Sequence, residues 1–415
     1  MKILVLNAGS STQKSSLYEI DGQLSIEPPQ PLWEAKLDWT QTADTAALTV
    51  ETATGESLEE KLPSGDRQGA IAALLQTLHQ GKTQVLSSLD EIDVIGHRVV
   101  HGGDKYRQAI QITPPVRDAI ASLTPLAPEH NPINLQGIDT ITHLLPQIPQ
   151  IAVFDTAFHA QMPAAAAVYP IPYSFLKQGI RRYGFHGISH QYCAERAAQI
   201  LNSPSSASTK PFLLGGEKGI PHRIITCHLG NGASLAAIRD GIGIDTTMGF
   251  TPLEGLMMGS RCGSIDPGIL IHLLRQGYDA ESLNRLLNKE SGLKGLSGVS
   301  SDLRSVQDAI ASGDEKATLA LDVYLHSLGR HIGSMLVSLG GLDALIFTGG
   351  IGENAPLIRS RTCQALSFLG VQLDEGKNQS HPVDADIATP DSSARILVIR
   401  AREDWAIAQE CWKLF

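Results

Sequence analysis

The sequence lacks three features that would place it at once in a large class of proteins. Its five cysteines, at positions 193, 227, 262, 363 and 411, are scattered and form no Cys-x-x-Cys pair, which disfavours a zinc site and a disulfide framework. No stretch approaches the roughly 18 apolar residues of a membrane-spanning helix. The N-terminal apolar run is four residues long, too short for the core of a signal peptide. We therefore expect a cytoplasmic protein with free thiols and no membrane partner.

Positive charge is also scarce. The chain has 33 Lys and Arg against 43 Asp and Glu, a formal net charge of -10. This balance argues against nucleic acid or an anionic membrane as the main partner, although a locally basic cleft remains compatible with it. A length of 415 residues exceeds one ordinary hydrophobic core and predicts two domains of similar size.

The chain opens with a segment that resembles a phosphate loop but lacks its usual sequence. Residues 4–20, "LVLNAGSSTQKSSLYEI", contain one glycine and return into a strand, whereas a Walker loop has Gly-x-x-x-x-Gly-Lys-Ser/Thr and enters a helix. Small and polar residues follow the first strand: Asn7, Gly9, Ser10, Ser11, Thr12 and Lys14. Amides and hydroxyls in such a turn can hold an anion. For this segment alone, a simple tight hairpin is the alternative.

The same pattern recurs at residues 225–241, "ITCHLGNGASLAAIRDG", and both hairpins are followed by an Asp-Gly turn. A second pair, "DVIGHRVVHGG" (93–103) and "DALIFTGG" (343–350), combines an acidic residue, an apolar strand and a double glycine. Periodic apolar positions predict helices over 67–81 and 315–339. The economical interpretation is a duplicated α/β domain, with chance similarity as the alternative. Residues 202–219 are low in complexity and predict an exposed loop.

Two arginines in apolar, glycine-rich surroundings indicate an anionic ligand. Arg98 lies in "GHRVVHGG" and Arg261 in "MMGSRCGSIDPG". A buried guanidinium stays charged and needs an anion, because its desolvation is costly. A structural salt bridge is the usual partner of a buried arginine and remains the alternative for each.

Histidines and one aspartate are the remaining candidates for chemistry. His97 and His101, like His186 and His190, are four residues apart, but neither pair has the glutamate of His-Glu-x-x-His, so a metalloprotease site is rejected. Asp155 ends the apolar strand in "AVFDTAFH", a position suited to binding magnesium or positioning a nucleophile. Capping a helix is its alternative role.

One rival interpretation concerns residues 347–376. Gly350, Gly352 and Ala355 follow a strand, and a helix, a strand and Asp374 would come next, which is close to a dinucleotide-binding fingerprint. A dehydrogenase is therefore an alternative, although a strand, glycines and a helix N-terminus can equally bind ATP.

Taken together, the motifs resemble those of the acetate kinase family in that family's order and over nearly the whole chain. They are "NAGSSTQK", "GHRVVHGG", "HNPIN", "VFDTAFH", "RRYGFHGISH", "HLGNGAS", "DTTMGFTPLEGLMMGSR", "GVSSDLR" and "FTGGIGEN". The resemblance implies the α/β fold of acetate and sugar kinases, Hsp70 and actin: two duplicated ribonuclease-H-like domains with an ATP cleft between them. It implies an acyl-side domain of residues 1–154 plus 400–415 and a nucleotide-side domain of residues 155–399. It also implies a homodimer that makes acetyl phosphate and ADP from acetate, or another short carboxylate, and ATP, with magnesium or manganese.

The resemblance also implies roles for residues of this chain. Arg98 and Arg261 look like the pair that grips the carboxylate and the transferring phosphoryl group, His186 like the histidine that bonds the phosphoryl oxygens, and Asp155 like the catalytic aspartate. The acyl-substrate residues by this comparison are Arg98, Val100, His130, Phe185 and Pro252. The ATP-binding residues are Lys14, His228, Gly230, Asn231, Gly232, Asp302, Arg304, Gly350, Ile351, Gly352 and Asn354. The magnesium-associated pair is Asn7 and Glu403.

The chain departs from the family pattern at a few positions. Glu129 replaces a leucine that borders the acyl pocket, where a carboxylate would repel acetate unless it is protonated, paired or turned away. Arg402 and Ser264 stand where asparagine and aspartate are common. Two alternatives follow the resemblance: a propionate or butyrate kinase with the same mechanism, and a non-enzymatic ATP switch on the same fold.

Overall fold

The structure is a computed structural model that describes residues 1–9, 12–25, 27–40, 45–202 and 223–415. The predicted anion-binding hydroxyls of Ser10 and Ser11 lie outside the described residues. The same is true of the predicted loop at 202–219, apart from its first residue.

The strands form two sheets, one early and one late in the chain. Their bounds are β1 Lys2–Ala8, β2 Thr12–Glu19, β3 Trp33–Asp38, β4 Thr45–Thr52, β5 Ser57–Pro63, β6 Val94–Val99, β7 Ile110–Gln111, β8 Gln150–Phe154, β9 Arg223–Leu229, β10 Ala233–Arg239, β11 Ile242–Thr246, β12 Ala344–Thr348, β13 Ala385–Asp386 and β14 Arg395–Val398.

The helices connect and cover these strands. Their bounds are α1 Arg67–His79, α2 Pro114–Ser122, α3 Asn131–Leu144, α4 Ala164–Ala167, α5 Tyr173–Leu176, α6 Gly187–Asn202, α7 Pro267–Arg275, α8 Ala280–Lys289, α9 Gly292–Ser297, α10 Leu303–Ala311, α11 Glu315–Leu339, α12 Gly349–Asn354, α13 Pro356–Ala365, α14 Glu375–Gln379 and α15 Glu403–Lys413. Short 3-10 helices span Leu89–Glu91, Thr124–Leu126, Ala157–Gln161 and Ser367–Leu369.

The chain divides into two compact units. The first comprises Met1–Ala157 and Arg402–Phe415, and the second comprises Phe158–Ala401. Asp155 therefore lies in the first unit, whereas the sequence-based division began the second domain at this residue. Residues 400 and 401 lie in the second unit, two positions beyond the sequence-based boundary.

The first unit contains a mixed sheet in the order β5-β4-β3-β2-β1-β6-β8-β7. Leu4 of β1 belongs to the same buried cluster as Leu74 of α1 on one face of the sheet. On the other face, a Cβ placed on Gly96 of β6 would lie 2.6 Å from Cys411 Sγ and 2.7 Å from Ile407 Cγ2 of α15. Because these side chains lie so near, position 96 has no room for a residue larger than glycine. The absence of a side chain there allows α15 to pack directly on the sheet.

The second unit contains a sheet in the order β11-β10-β9-β12-β14-β13. Its central hairpin β9–β10 is antiparallel, β12 runs parallel to β9, and β14 runs parallel to β12. The first unit has the same arrangement in β1–β2, β6 and β8, and each sheet ends on an antiparallel strand, β7 or β13. The predicted duplication is confirmed by this strand-by-strand match.

The predicted helix over 315–339 coincides with α11, which ends at Leu339 and is capped by Gly340 with φ 71°, a left-handed conformation that glycine adopts without a Cβ clash. The predicted helix over 67–81 ends at His79. The strand expected before Asp374 is wrong: Ser367–Leu369 is a 3-10 helix, and Leu373 makes an isolated bridge to Ala388. Asp374 instead caps α14 by accepting the backbone N–H of Lys377 at 3.1 Å. The fingerprint of a dinucleotide-binding unit is therefore incomplete.

Candidate active site

In the first unit, polar side chains gather where β1, β6 and β8 end. Asn7 lies near the end of β1, Arg98 near the end of β6, and Asp155 directly after β8. These three strands are parallel, so their carboxyl ends meet at one edge of the sheet. Glu403 and Asp404, in the first turn of α15, reach Asn7 at this edge.

Arg98 and Asp155 form a buried ion pair. Arg98 donates from Nε at 3.0 Å and from Nη2 at 2.5 Å to the same oxygen, Asp155 Oδ2. Burial raises the pKa of Asp155, Arg98 opposes this, and the Glu403 carboxylate raises it further. Burial lowers the pKa of Arg98, but Asp155 and Glu403 more than offset this and raise it overall. The salt-bridge alternative therefore holds for Arg98, and the carboxylate fixes the direction of its guanidinium.

The second carboxylate oxygen of Asp155 takes no part in this ion pair. Oδ1 is buried and has no hydrogen-bond partner among the described residues. A buried acceptor without a partner is costly, so its presence points to a group that approaches this oxygen. The hydrogen bonds that the described residues provide to Asp155 come from Arg98, and none of them is a helix cap.

Asn7 contacts the predicted partner Glu403 and a carboxylate that the sequence analysis missed. Its Nδ2 donates to Glu403 Oε2 at 3.3 Å and to Asp404 Oδ1 at 2.7 Å. Ser16 Oγ donates to the other oxygen of Asp404 at 3.2 Å. Burial raises the pKa of Asp404, and the hydrogen bond from Asn7 and the charge of Lys14 oppose this. The signal for Asp404 was its place beside Glu403 in "RED".

The other candidates in the first unit occupy varied environments. Lys14 is exposed and lies opposite Asn7 in the β1–β2 register. Val100 is buried, and its N–H donates to Asn134 Oδ1 at 3.1 Å. His130 is the residue before α3, and its neighbour Glu129 is exposed.

In the second unit, His186, His228 and Arg261 converge on the β9–β10 turn. A Cβ placed on Gly232 would lie 3.3 Å from Arg261 Nη1 and 3.6 Å from His186 Nε2. The rings of His186 and His228 stack with centroids 4.3 Å apart. Arg261 also donates from Nη1 to the carbonyl of Pro252 at 3.2 Å. A guanidinium and two imidazoles thus surround a turn whose glycine has no side chain to block a ligand. Such a site is suited to a phosphoryl group.

His186 has an unusual backbone conformation. Its φ is 57°, in the left-handed region that non-glycine residues rarely adopt. It directly precedes α6, and its carbonyl accepts the N–H of His190 at 2.9 Å. Such a conformation persists where the surrounding structure holds it and is often found at functional sites. No local pattern in the sequence indicated this conformation.

The β9–β10 turn is shaped by backbone contacts. Gly230 N–H donates to the carbonyl of Gly232 at 3.0 Å, and Gly259 N–H donates to the carbonyl of Asn231 at 3.0 Å. A Cβ on Gly259 would lie 2.1 Å from Asn231 Oδ1 and 2.9 Å from the carbonyl of Ser301. Glycine at 259 thus leaves room for the Asn231 side chain beside the segment that enters α10.

Two other predicted nucleotide-binding features are placed separately in the second unit. Asp302 caps α10 and forms an ion pair with Arg304 at 2.6 Å, and the Arg304 side chain is 87% exposed. Gly350, Ile351, Gly352 and Asn354 lie in α12, where Asn354 Nδ2 donates to the carbonyl of Gly350 at 3.0 Å.

Two residues that the sequence analysis missed hold α12 in place. Glu353 Oε1 accepts the N–H groups of Gly349 and Ala401, each at 2.9 Å. Arg359 is fully buried and donates from Nη1 to the carbonyls of Gly352 and Glu353, each at 2.8 Å. An arginine in a helix that begins at a proline after several glycines carries no recognisable local signal, because most of its partners are backbone atoms.

Burial keeps the two histidines of "GHRVVHGG" uncharged. It lowers the pKa of His97 to about 4, against a hydrogen bond with Gln150 that raises it, and lowers the pKa of His101 to about 4. Both are therefore neutral structural groups at neutral pH. Within the described ranges, no cluster of three or more His, Cys, Asp or Glu side chains is arranged to hold a metal ion. In the same part of the chain, no helix is both long and apolar enough to cross a bilayer.

The chain is similar to known proteins over its whole length. The model of the acetokinase family matches residues 2–409. The acetate kinases of a Cyanothece species and of Nostoc punctiforme are each 59% identical to this chain, covering all of it and 98% and 99% of their own lengths. The crystal structure of Porphyromonas gingivalis acetate kinase matches with a TM-score of 0.86 at 38% identity, over 100% of this chain and 99% of that one. A propionate kinase from Francisella tularensis matches with a TM-score of 0.85 at 37% identity, over 99% and 98%.

These full-length matches confirm the enzyme family that the motifs indicated. They also exclude the alternatives of a dehydrogenase and of a non-enzymatic ATP switch, since family, identity and fold agree over the whole chain. The chain belongs to the acetokinase family.

Proposed function

We propose a role for each group of residues in the phosphoryl transfer between ATP and acetate that acetokinases catalyse. The observation that carries the proposal is the convergence of Arg261, His186 and His228 on the glycine turn at Gly232. It offers cationic and N–H donors to the equatorial oxygens of a phosphoryl group, where negative charge accumulates in the transition state.

Acetate needs little chemical activation. A carboxylic acid has a pKa far below 7, so the attacking carboxylate is already ionised and no general base is required. The remaining tasks are to position the two substrates and to neutralise charge. Arg98 and Arg261 supply guanidinium groups for the carboxylate and the phosphoryl group, and His186 donates a hydrogen bond to a phosphoryl oxygen. Asp155 positions Arg98 through their ion pair.

The nucleotide is assigned to the second unit and to Lys14. The turn residues Gly230, Asn231 and Gly232, together with His228, bind the phosphates, and the Gly230 N–H closes this turn by donating to the Gly232 carbonyl. The α12 turn at Gly350–Asn354 and the Asp302–Arg304 pair take the adenosine. The Glu353 and Arg359 contacts support this assignment, since they hold α12 at both ends.

Magnesium fits the donors of the first unit. Mg²⁺ prefers hard oxygen ligands and is commonly held by one or two carboxylates together with substrate phosphates. Glu403, the amide oxygen of Asn7 and the unpartnered Asp155 Oδ1 are such donors, and Asp404 adds negative charge beside them. The ion would neutralise charge on the nucleotide phosphates when bound. We assign the metal to Asn7 and Glu403, and the Asp155 carboxylate would add negative charge near it.

The acyl group is assigned to Val100, Phe185, Pro252 and His130. Val100 and Phe185 are buried apolar side chains, 3% and 2% exposed, that suit a methyl group. Glu129 is exposed, which supports a carboxylate turned toward solvent and compatible with acetate. Acetate is therefore the proposed acceptor, and propionate is the test case because the Francisella relative is named for it.

We further assign a homodimer and a cytoplasmic location. Ile269, Ile271 and Leu274 of α7 are 45%, 51% and 48% exposed, and a second copy of the chain would cover this apolar helix. The five cysteines are free thiols, as is usual in a reducing compartment.

The test is acyl phosphate formation from Mg-ATP, trapped with hydroxylamine, with acetate, propionate and butyrate compared. We expect the highest kcat/KM on acetate and a loss of at least roughly a hundredfold in Arg261→Lys, because an ammonium cannot reproduce the guanidinium geometry. Arg117→Lys, at an exposed ion pair in the first unit, is the control and should retain activity. Silence on all three acids while ATP still binds would refute the assignment, and a preference for butyrate would refute the acyl pocket.

A further inference from the structure

A chain of hydrogen bonds runs from the second sheet to the ring of His186. Thr226 Oγ1 of β9 lies 2.6 Å from His190 Nδ1, and His190 Nε2 lies 2.7 Å from Ser234 Oγ of β10. Ser234 Oγ lies 2.9 Å from His186 Nδ1. Thr226, His190 and Ser234 are each 0% exposed, so bulk water does not compete for their protons.

The direction in which these hydrogen bonds donate follows from Thr226, the residue at the start of the series. Among the described residues, the hydroxyl of Thr226 has one hydrogen-bond partner, which is His190 Nδ1. A buried hydroxyl proton without an acceptor costs about 1–3 kcal/mol, so Thr226 donates and Nδ1 accepts. A neutral imidazole carries one N–H, and His190 must therefore carry it on Nε2 and donate to Ser234.

The outer end is then determined as well. Ser234 Oγ accepts from His190 and has one proton left, which it donates to His186 Nδ1. With Nδ1 occupied as an acceptor, the proton of neutral His186 resides on Nε2, the ring atom that lies toward Gly232 and Arg261.

We propose that Thr226, His190 and Ser234 are positioning residues that order the protons of His186, so that its Nε2–H always faces the phosphoryl site as a donor. The inference rests on the proposed role of His186. It extends that role, because reversing the direction of the hydrogen bonds would place a lone pair on His186 Nε2, and this lone pair would repel an anionic group.

Two further observations agree with this order. Burial, together with His159 and His228, lowers the pKa of His190 well below its ordinary value, so His190 is neutral and transmits one proton direction. The left-handed φ of His186 sets its ring between the turn and Ser234, which indicates that the surrounding structure holds the ring in place.

The alternative order can be stated and tested. In it, His186 donates from Nδ1 to Ser234, Ser234 donates to His190, and His190 donates to Thr226, whose own proton is then buried without an acceptor. The two orders differ in which nitrogen of His186 carries the proton, and nitrogen chemical shifts distinguish the two tautomers.

The experiment uses the full chain labelled with ¹⁵N-histidine and long-range ¹H–¹⁵N correlation spectra, with His186→Asn identifying the His186 signals. The proposal expects His186 to be protonated at Nε2 in the wild type. Thr226→Val removes the first donor and should give a mixture of tautomers, with kcat lowered about three- to tenfold and both KM values nearly unchanged. Ser234→Ala should lower kcat roughly tenfold or more.

Controls separate proton order from packing. Thr226→Ser keeps the hydroxyl and should retain the wild-type tautomer and kcat. Thr246→Val removes a buried hydroxyl of the same sheet that donates to the Leu235 carbonyl, and should change neither readout. Protonation of wild-type His186 at Nδ1, or equal kcat losses in Thr226→Ser and Thr226→Val, would overturn the proposal. If the tautomer is as stated but Ser234→Ala keeps full kcat, the order stands and the assigned role of His186 is wrong.

Discussion

Replacing Asp155 by asparagine tests whether burial makes the Arg98 ion pair important. The Asp155 side chain is 1% exposed and that of Arg98 is 16% exposed, so little water reaches the pair. Breaking a buried pair costs about 3–5 kcal/mol. The asparagine oxygen still accepts a hydrogen bond and Glu403 still faces Arg98, so we expect a loss at or just below the lower end of that range, about 2–3 kcal/mol.

The chain supplies a matched control with the same residue types. Arg117 donates from Nε and Nη2 to the two oxygens of Asp139 at 3.0 and 2.7 Å, but the two side chains are 39% and 43% exposed. An exposed pair contributes at most about 1 kcal/mol, so Asp139→Asn should change stability by less than that. Both pairs belong to the first unit.

Urea unfolding followed by tryptophan fluorescence suits this comparison. The four tryptophans, Trp33, Trp39, Trp405 and Trp412, all lie in the first unit, so the signal reports the unit that contains both ion pairs. We also expect Asp155→Asn to lower kcat by about a hundredfold or more, since a neutral amide holds the Arg98 guanidinium less firmly than a carboxylate, and Asp139→Asn to leave kcat unchanged. Equal stability losses in the two variants would refute the burial argument, and full activity of Asp155→Asn would refute its positioning role.

Two further substitutions test the site and the buried histidines. Gly232→Ala places a Cβ 3.3 Å from Arg261 Nη1 and should lower kcat roughly tenfold without loss of fold; Gly329→Ala in α11, with open space around it, should instead raise stability by about 0.5–1 kcal/mol and leave kcat unchanged. If Gly232→Ala has wild-type kinetics, the turn does not set the position of the guanidinium. His97 has its pKa lowered to about 4 by burial, so the unfolded chain takes up its proton near pH 6.5 while the folded chain does not, and stability falls as pH drops through that window. His97→Leu should flatten this dependence by about one proton in urea titrations between pH 7 and pH 4.5, and an unchanged slope would contradict the neutral assignment.

The duplicated fold could be predicted because its signals are local. A glycine turn between two short strands and an Asp-Gly turn after them indicate a hairpin wherever they occur, and the two copies pair as expected in β1–β2 and β9–β10. The dinucleotide interpretation failed for a local reason as well. Pro356 begins a new helix directly after α12, because proline cannot continue a helix through its interior, and so α12 stays a six-residue turn.

The site could be predicted only in part. Asn7 and Glu403 are 396 positions apart, and their contact followed from resemblance to a family rather than from any spacing. The His186–Ser234–His190–Thr226 chain joins a helix to two strands, so only the three-dimensional structure reveals it, although the spacing of His186 and His190 was visible. Long-range hydrogen bonds leave no periodic signal in a sequence.

Strand register shows how the two copies differ at matching positions. Asn7 and His228 each stand two residues before the glycine of their hairpin turn. When the two copies are superimposed on these residues, β6 of the first copy corresponds to β12 of the second. By strand register, the residue beside Asn7 is Arg98 and the residue beside His228 is Thr348, so Arg98 and Thr348 are equivalent positions. The next parallel strand in each sheet then aligns Asp155 with Ala401.

The charged pair of the first unit therefore has uncharged counterparts in the second. Thr348 is fully buried, and Ala401 contributes a backbone N–H to Glu353, so the second copy uses these positions to hold α12 rather than to present charge. We infer that duplication supplied two equivalent strand edges and that their side chains then diverged. The edge with Arg98, Asp155 and Glu403 suits a small carboxylate and a cation, whereas the edge with imidazoles and glycine amides suits phosphates. The strand pairing is common to the two copies, whereas the residues at the strand ends differ, so fold and chemistry are set by different residues of the same strands.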